Sequence, residues 1–121
     1  MDLKFAGESV TGQAGGYTVA LVFSGGYEVR IETPFMLRQP GGDLEVTPGE
    51  TELPDLTGRV VTLARADDQG GLRLDFQDGS RLLVAPDPDY EAWTVAGPHG
   101  LKVVSEPGGG LAVWSGAEEG A

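Results

Sequence analysis

Apolar and polar residues alternate along Leu72-Arg-Leu-Asp-Phe76, the period of a strand with one face buried. Asp78-Gly79 supplies a turn, and Leu82 and Val84 then resume the apolar phase. That phase selects the loop. A two-residue loop would pair Phe76 with Arg81 and throw Leu82 and Val84 onto the opposite face. A three-residue loop, Gln77-Asp78-Gly79, pairs Phe76 with Ser80, Leu74 with Leu82 and Leu72 with Val84. All five apolar side chains then share a face, and Gly79 takes the left-handed bulge position that glycine occupies cheaply.

The pattern occurs twice. Phe23, Gly26, Val29 and Ile31 correspond to Phe76, Gly79, Leu82 and Val84, each 53 positions later (23 to 76, 26 to 79). Ahead of each hairpin, Phe5-Ala-Gly-Glu-Ser-Val-Thr11 lines up with Leu56-Thr-Gly-Arg-Val-Val-Thr62 at an offset of 51 (5 to 56). The two residues of difference fall in the longer turn Asp67-Asp-Gln-Gly70. Two copies of a three-strand unit, residues 5–32 and 56–84, follow from this reading. Such units bury their apolar faces against each other.

The remaining segments read as connections and further strands. Thr33-Pro34 ends the first copy, because proline cannot donate to a ladder, and Phe35-Met-Leu37 is expected as a short edge strand. Residues 39–55 form an acidic linker in which Leu44 and Val46 pair briefly and the remainder is exposed. Short strands are also expected at 3–5 and 9–11. From residue 87 to 114 a meander is expected, with Trp93-Thr-Val95, Leu101–Val104 and Leu111–Trp114 as strands. Asp87-Pro88 signals at most one helical turn near 87–92. The tail, 115–121, is expected to fray. The fold class is all-β: about nine strands in an antiparallel sandwich or partly open barrel, forming one domain over residues 1–121.

Composition narrows the chemistry. Twenty glycines and eight prolines between short apolar runs are turn punctuation, and the absence of cysteine excludes disulfides and thiolate metal sites. Nineteen acidic against eight basic residues give a net charge of −11. With no basic stripe in the sequence, nucleic acid and anionic membrane are disfavoured as partners, while a basic protein is compatible. No apolar run reaches the roughly 18 residues of a membrane span. Met1–Phe5 lacks the basic start and apolar block of a secretory signal, so the expected location is cytoplasmic.

Tyr90-Glu91-Ala92-Trp93, followed by Pro107-Gly-Gly-Gly-Leu-Ala-Val-Trp114, resembles an uncharacterised family of small, mainly actinobacterial proteins. Their hallmark is a Glu-Ala-Trp motif after a strand–Asp-Gly–strand hairpin, here Glu91-Ala92-Trp93 after Leu72–Val84, and the likeness covers most of residues 19–114. That resemblance implies no particular activity. In size, acidity and strand–turn texture the chain is also similar to immunity proteins of bacterial toxin systems, which neutralise a toxin by stoichiometric binding.

Candidate sites cluster in the last third. Asp87-x-Asp89-x-Glu91 has the first ligand spacings of a calcium loop, but Ala92 stands where the sharp-turn glycine belongs and Pro98 where the bidentate Glu should be. Glu91 with Asp87 or Asp89 is a carboxylate pair that Trp93 would desolvate, the pattern of acid–base chemistry; surface and turn hydrogen bonding explains the same residues. His99 lies in a turn with no nucleophile motif beside it. Trp93 and Trp114 either pack into one end of the core or, exposed with Tyr90, form a protein-binding hot spot. The reading is therefore a non-catalytic protein-binding module, immunity-type or regulatory, with no cofactor and no metal. Its binding residues are Tyr90, Glu91, Trp93, Trp114, Asp87 and Asp89. The alternatives are a small hydrolase or isomerase using Glu91 with a neighbouring Asp, and a self-associating structural β protein.

Overall fold

The computed structural model describes residues 1–115, and the tail expected to fray lies, beyond Ser115, outside the described residues. Eleven strands form two antiparallel sheets packed face to face and not closed into a barrel. The first sheet contains β1 (Val10–Ala14), β2 (Val19–Phe23), β3 (Tyr27–Ile31), β9 (Trp93–Ala96), β10 (Leu101–Ser105) and β11 (Leu111–Ser115), in the order β1-β2-β3-β9-β10-β11. The second contains β4 (Phe35–Gln39), β5 (Gly42–Val46), β6 (Val61–Ala66), β7 (Leu72–Phe76) and β8 (Arg81–Val84), in the order β5-β4-β8-β7-β6. No helix among the described residues is long and apolar enough to cross a membrane.

Both hairpins form with three-residue loops. Leu74 opposes Leu82 and Leu72 opposes Val84, while Phe23 opposes Tyr27 and Val19 opposes Ile31. Gly79 has φ +91°, and Phe76 N–H donates to Ser80 O at 2.9 Å across the loop. Leu72, Leu74, Phe76, Leu82 and Val84 are all buried in the core. Each contributes roughly 1.5–3 kcal/mol of transfer free energy to folding.

The two copies are related by an interlock that repeats bond for bond. Gly7 N–H donates to Val61 O at 2.7 Å, and Gly58 N–H donates to Val10 O at 2.8 Å. Val10 N–H reaches Arg59 O at 3.0 Å, and Val61 N–H reaches Glu8 O at 2.8 Å. A bulge falls at the same place in each copy, between Val10 and Gly12 and between Val61 and Leu63. The extra residue is Thr11 in one and Thr62 in the other, and each hydroxyl donates across to a carbonyl of the neighbouring strand, at Val22 and Asp75 respectively. The offsets of 51 and 53 read along the sequence thus mark a pseudo-two-fold axis.

Two expectations change. Phe35–Gln39 is not an edge strand: β4 lies between β5 and β8, because Pro34 and Pro40 bracket it and leave its ladder donors intact. Leu3–Phe5 forms no strand, although Leu3 and Phe5 are buried and Asp2 bridges Arg65. Residues 87–92, where at most one helical turn was expected, form a bend that Asp87 caps.

Candidate functional site

The connections at one end of the sandwich are drawn together by specific contacts. Trp93 Nε1–H and Ser105 Oγ–H both donate to Gly70 O, at 2.9 and 2.8 Å. Gly108 N–H donates to Asp87 O at 2.8 Å, and a side chain on Gly49 would collide with the Tyr17 ring at 2.8 Å. The segment ends gathered here carry Glu50 and Glu52 after β5, Asp67 and Asp68 after β6, and Glu106 after β10. Asp87, Asp89 and Glu91 follow β8, and Glu32 ends β3. The one cation in these connections is Arg59, which pairs with Asp78 at 3.4 Å, so the carboxylates at this end carry most of the net charge of −11.

At its centre is a cleft of about 500 Å³ lined by Tyr17, Thr18, Glu32, Asp89, Tyr90, Glu91 and Pro107. Tyr17 is 90% exposed and Tyr90 67%, while most aromatic side chains in this chain are buried or half-buried. Asp87 Oδ1 accepts the N–H groups of Asp89 and Tyr90, at 2.8 and 3.1 Å, and so fixes the bend that presents Tyr90. A second hollow of about 360 Å³ shares Thr18 and Glu32 with the cleft and is lined besides by Glu28, Arg30, Thr94, Ala96 and Lys102.

The residues read from the sequence divide. Tyr90, Glu91 and Asp89 meet at the cleft. Asp87 is spent on backbone hydrogen bonds and positions them. Trp93 is fully buried in the core, which removes it from any binding surface; its role is to anchor Gly70. Trp114 does not join it: β10 separates the two strands, and register places Trp114 on the opposite face, 53% exposed beneath Lys102 Nζ at 5.6 Å. Among the described residues no group of three or more His, Asp or Glu is placed to hold a metal ion. His99 is exposed at φ +63°. Tyr17 went unread because Gly15-Gly16-Tyr17-Thr18 carries only a turn signal, and its position depends on Gly49.

The fold also makes a basic stripe that the sequence order conceals. Arg65 opposes Arg73, and Arg38 opposes Arg81, on the outer face of the second sheet. Asp75 pairs with Arg73 at 2.8 Å and with Arg81 at 2.9 Å, and Asp43 lies 3.8 Å from Arg38, so these two carboxylates offset part of the charge of this face.

Residues 1–115 match a protein family, and the match spans every described residue. The chain belongs to a family of unknown function, DUF6188. No curated protein and no solved structure matches it. For this member of DUF6188, chemistry must therefore be argued from the cleft. Two exposed tyrosines and three carboxylates, with no cation among the lining residues, suit a positively charged side chain.

Proposed function

We propose that this DUF6188 domain is a non-catalytic protein-binding module whose Tyr17–Tyr90 cleft takes a lysine or arginine of a basic partner. The observation that carries the reading is the pair of exposed tyrosines lining one cavity with three carboxylates and no lysine or arginine among its lining residues. Exposed aromatic anchors with a polar rim are the usual composition of a binding hot spot. Carboxylates around them steer a basic partner and desolvate with it. The Glu-Ala-Trp motif fits this division of labour: Glu91 faces the cleft, while buried Ala92 and Trp93 hold its strand to the core. Stoichiometric neutralisation of a basic toxin, as immunity proteins perform it, is one biological form of this activity. Catalysis by Glu91 and Asp89 is the weaker reading, because both carboxylates are exposed and lack the desolvation that tunes an acid–base pair.

Titration with an arginine-rich peptide, followed by calorimetry, tests the site. Binding is expected to weaken about ten-fold in Tyr90→Ala and again in Tyr17→Ala, the magnitude of one lost cation–π contact each. It should also fall with added salt. Equal affinity of wild type and the double variant would remove the cleft from the binding surface. Glu91→Gln should weaken binding while leaving folding unchanged.

A further inference from the structure

Of the four sheet edges, three are covered or charged. Beside β6, Leu3 N–H donates to Ala64 O and Ala66 N–H to Met1 O, both at 2.9 Å. Beside β1, Gln13 bonds to Pro54 and Leu56. β5 carries the exposed charges Asp43 and Glu45. These are the devices by which proteins blunt edges. The fourth, β11, has none of them. Leu111-Ala-Val-Trp-Ser115 contains no charge and no proline, and among the described residues it pairs only with β10.

Among the described residues, β11 packs on the core at Leu111 and is exposed on both faces from Val113 onward. The first sheet has one strand more than the second, and Val113, on the face that turns inward, is 46% exposed. Trp114, on the outer face, is 53% exposed. Glu106 N–H donates to Gly110 O at 3.1 Å at the start of the β10–β11 ladder. The alternation of an antiparallel ladder then turns the N–H and C=O groups of Leu111, Val113 and Ser115 toward the free edge.

We propose that β11 pairs with β11 of a second copy of this chain, antiparallel and centred on Val113, to join two first sheets into one of twelve strands. The strand is self-complementary in that register. Val113 meets Val113 of the second copy at the two-fold axis, and Leu111 meets Ser115. The outward backbone groups of all three positions are satisfied in both copies. Trp114 falls opposite Ala112 of the second copy, so a large side chain lies against a small one on the outer face. An isologous contact of this kind closes on itself and leaves no further edge to propagate. The acidic cluster bars most approaches between two chains of charge −11. Lys102, opposite Trp114, is the only charged residue of β10 and β11.

A five-residue strand pair belongs to the small, weak class of interface, so the transition is sought between about 10 µM and 1 mM. Sedimentation of the full chain should move from one to two monomer masses over that range, and added salt should favour the dimer by screening repulsion. Salt weakens the cleft's hold on a basic peptide, so the two proposals fail separately. Val113→Lys sets two cations together at the axis and should remain monomeric with an unaltered melting curve. The chain has no cysteine, which makes Val113→Cys a clean test of register. Directly opposed, hydrogen-bonded residues lie about 5.5 Å apart at Cα, within disulfide reach. Val113→Cys should therefore cross-link on oxidation at least ten-fold faster than Val22→Cys, an exposed site on β2. A wild type monomeric at 1 mM, a Val113→Lys dimer, or equal cross-linking rates would each overturn the proposal.

Discussion

Gly79 and Gly70 share a left-handed backbone, at φ +91° and +96°, yet a side chain would meet different surroundings at each. A Cβ on Gly79 touches only Pro40 Cγ, at 4.0 Å, so Gly79→Ala costs the conformation alone, about 1–2 kcal/mol. A Cβ on Gly70 would lie 3.0 Å from Gly110 O and 3.1 Å from Ser105 Oγ. It would also disturb the carbonyl that receives Trp93 and Ser105, so Gly70→Ala should cost at least about 1 kcal/mol more. Urea midpoints are expected in the order wild type, Gly79→Ala, Gly70→Ala, and equal midpoints for the two variants would contradict this account. Gly79 was legible because the apolar phase on either side of it admits only one loop length. Gly70 was not. Its partners stand 23 and 35 positions along the chain, and nothing local encodes a carbonyl's distant donors. The burial of Trp93 and the placement of Tyr17 against Gly49 depend on distant partners in the same way.

At the scale of elements, the outward-facing residues of the β7–β8 hairpin show what register does to charge. Asp75 opposes Arg81 and lies two residues from Arg73 on the same face. The hydrogen bond from Arg73, with a further one from Arg81, holds the Asp75 carboxyl below the usual carboxylate range. A depressed folded pKa contributes stability that is present above the unfolded value, near 3.9, and is lost as pH falls through the folded value. Asp75→Asn should therefore cost about 1 kcal/mol at pH 7, the magnitude of a partly exposed ion pair. The difference from wild type should vanish in acid, below the folded pKa. Melting curves of both proteins, followed from pH 7 downward through the acid range, would check it, and a gap that stays constant throughout would show that charge is not the cause. This pairing follows from the sequence once the three-residue loop is chosen. The place of β4 does not, because its neighbour β8 lies more than forty residues away and no turn connects them (Met36 to Leu83).

Across the whole molecule, the pseudo-two-fold axis makes each copy's leading arm run beside the other copy's first strand, and the two arms are not equivalent. In one, Leu3 N–H donates directly to Ala64 O. The corresponding donor in the other arm, 51 positions later (3 to 54), is Pro54, which has no N–H. Gln13 fills the gap with its side chain. Its Nε2 donates to Pro54 O at 3.0 Å, and its Oε1 accepts Leu56 N–H at 2.7 Å. Leu56 is fully buried, so removing that acceptor strands an amide away from water. Gln13→Ala is therefore expected to cost about 2–3 kcal/mol, more than a surface amide warrants. Gln13→Glu keeps the acceptor for Leu56 but loses the donor to Pro54 O, and should fall between the two. Chemical denaturation of the three proteins decides the matter. A Gln13→Ala variant within about 0.5 kcal/mol of wild type, the range of an ordinary surface substitution, would mean that the acidic segment before Leu56 is held by burial alone. The repeat legible in the sequence would then describe ancestry without describing what locks the halves together.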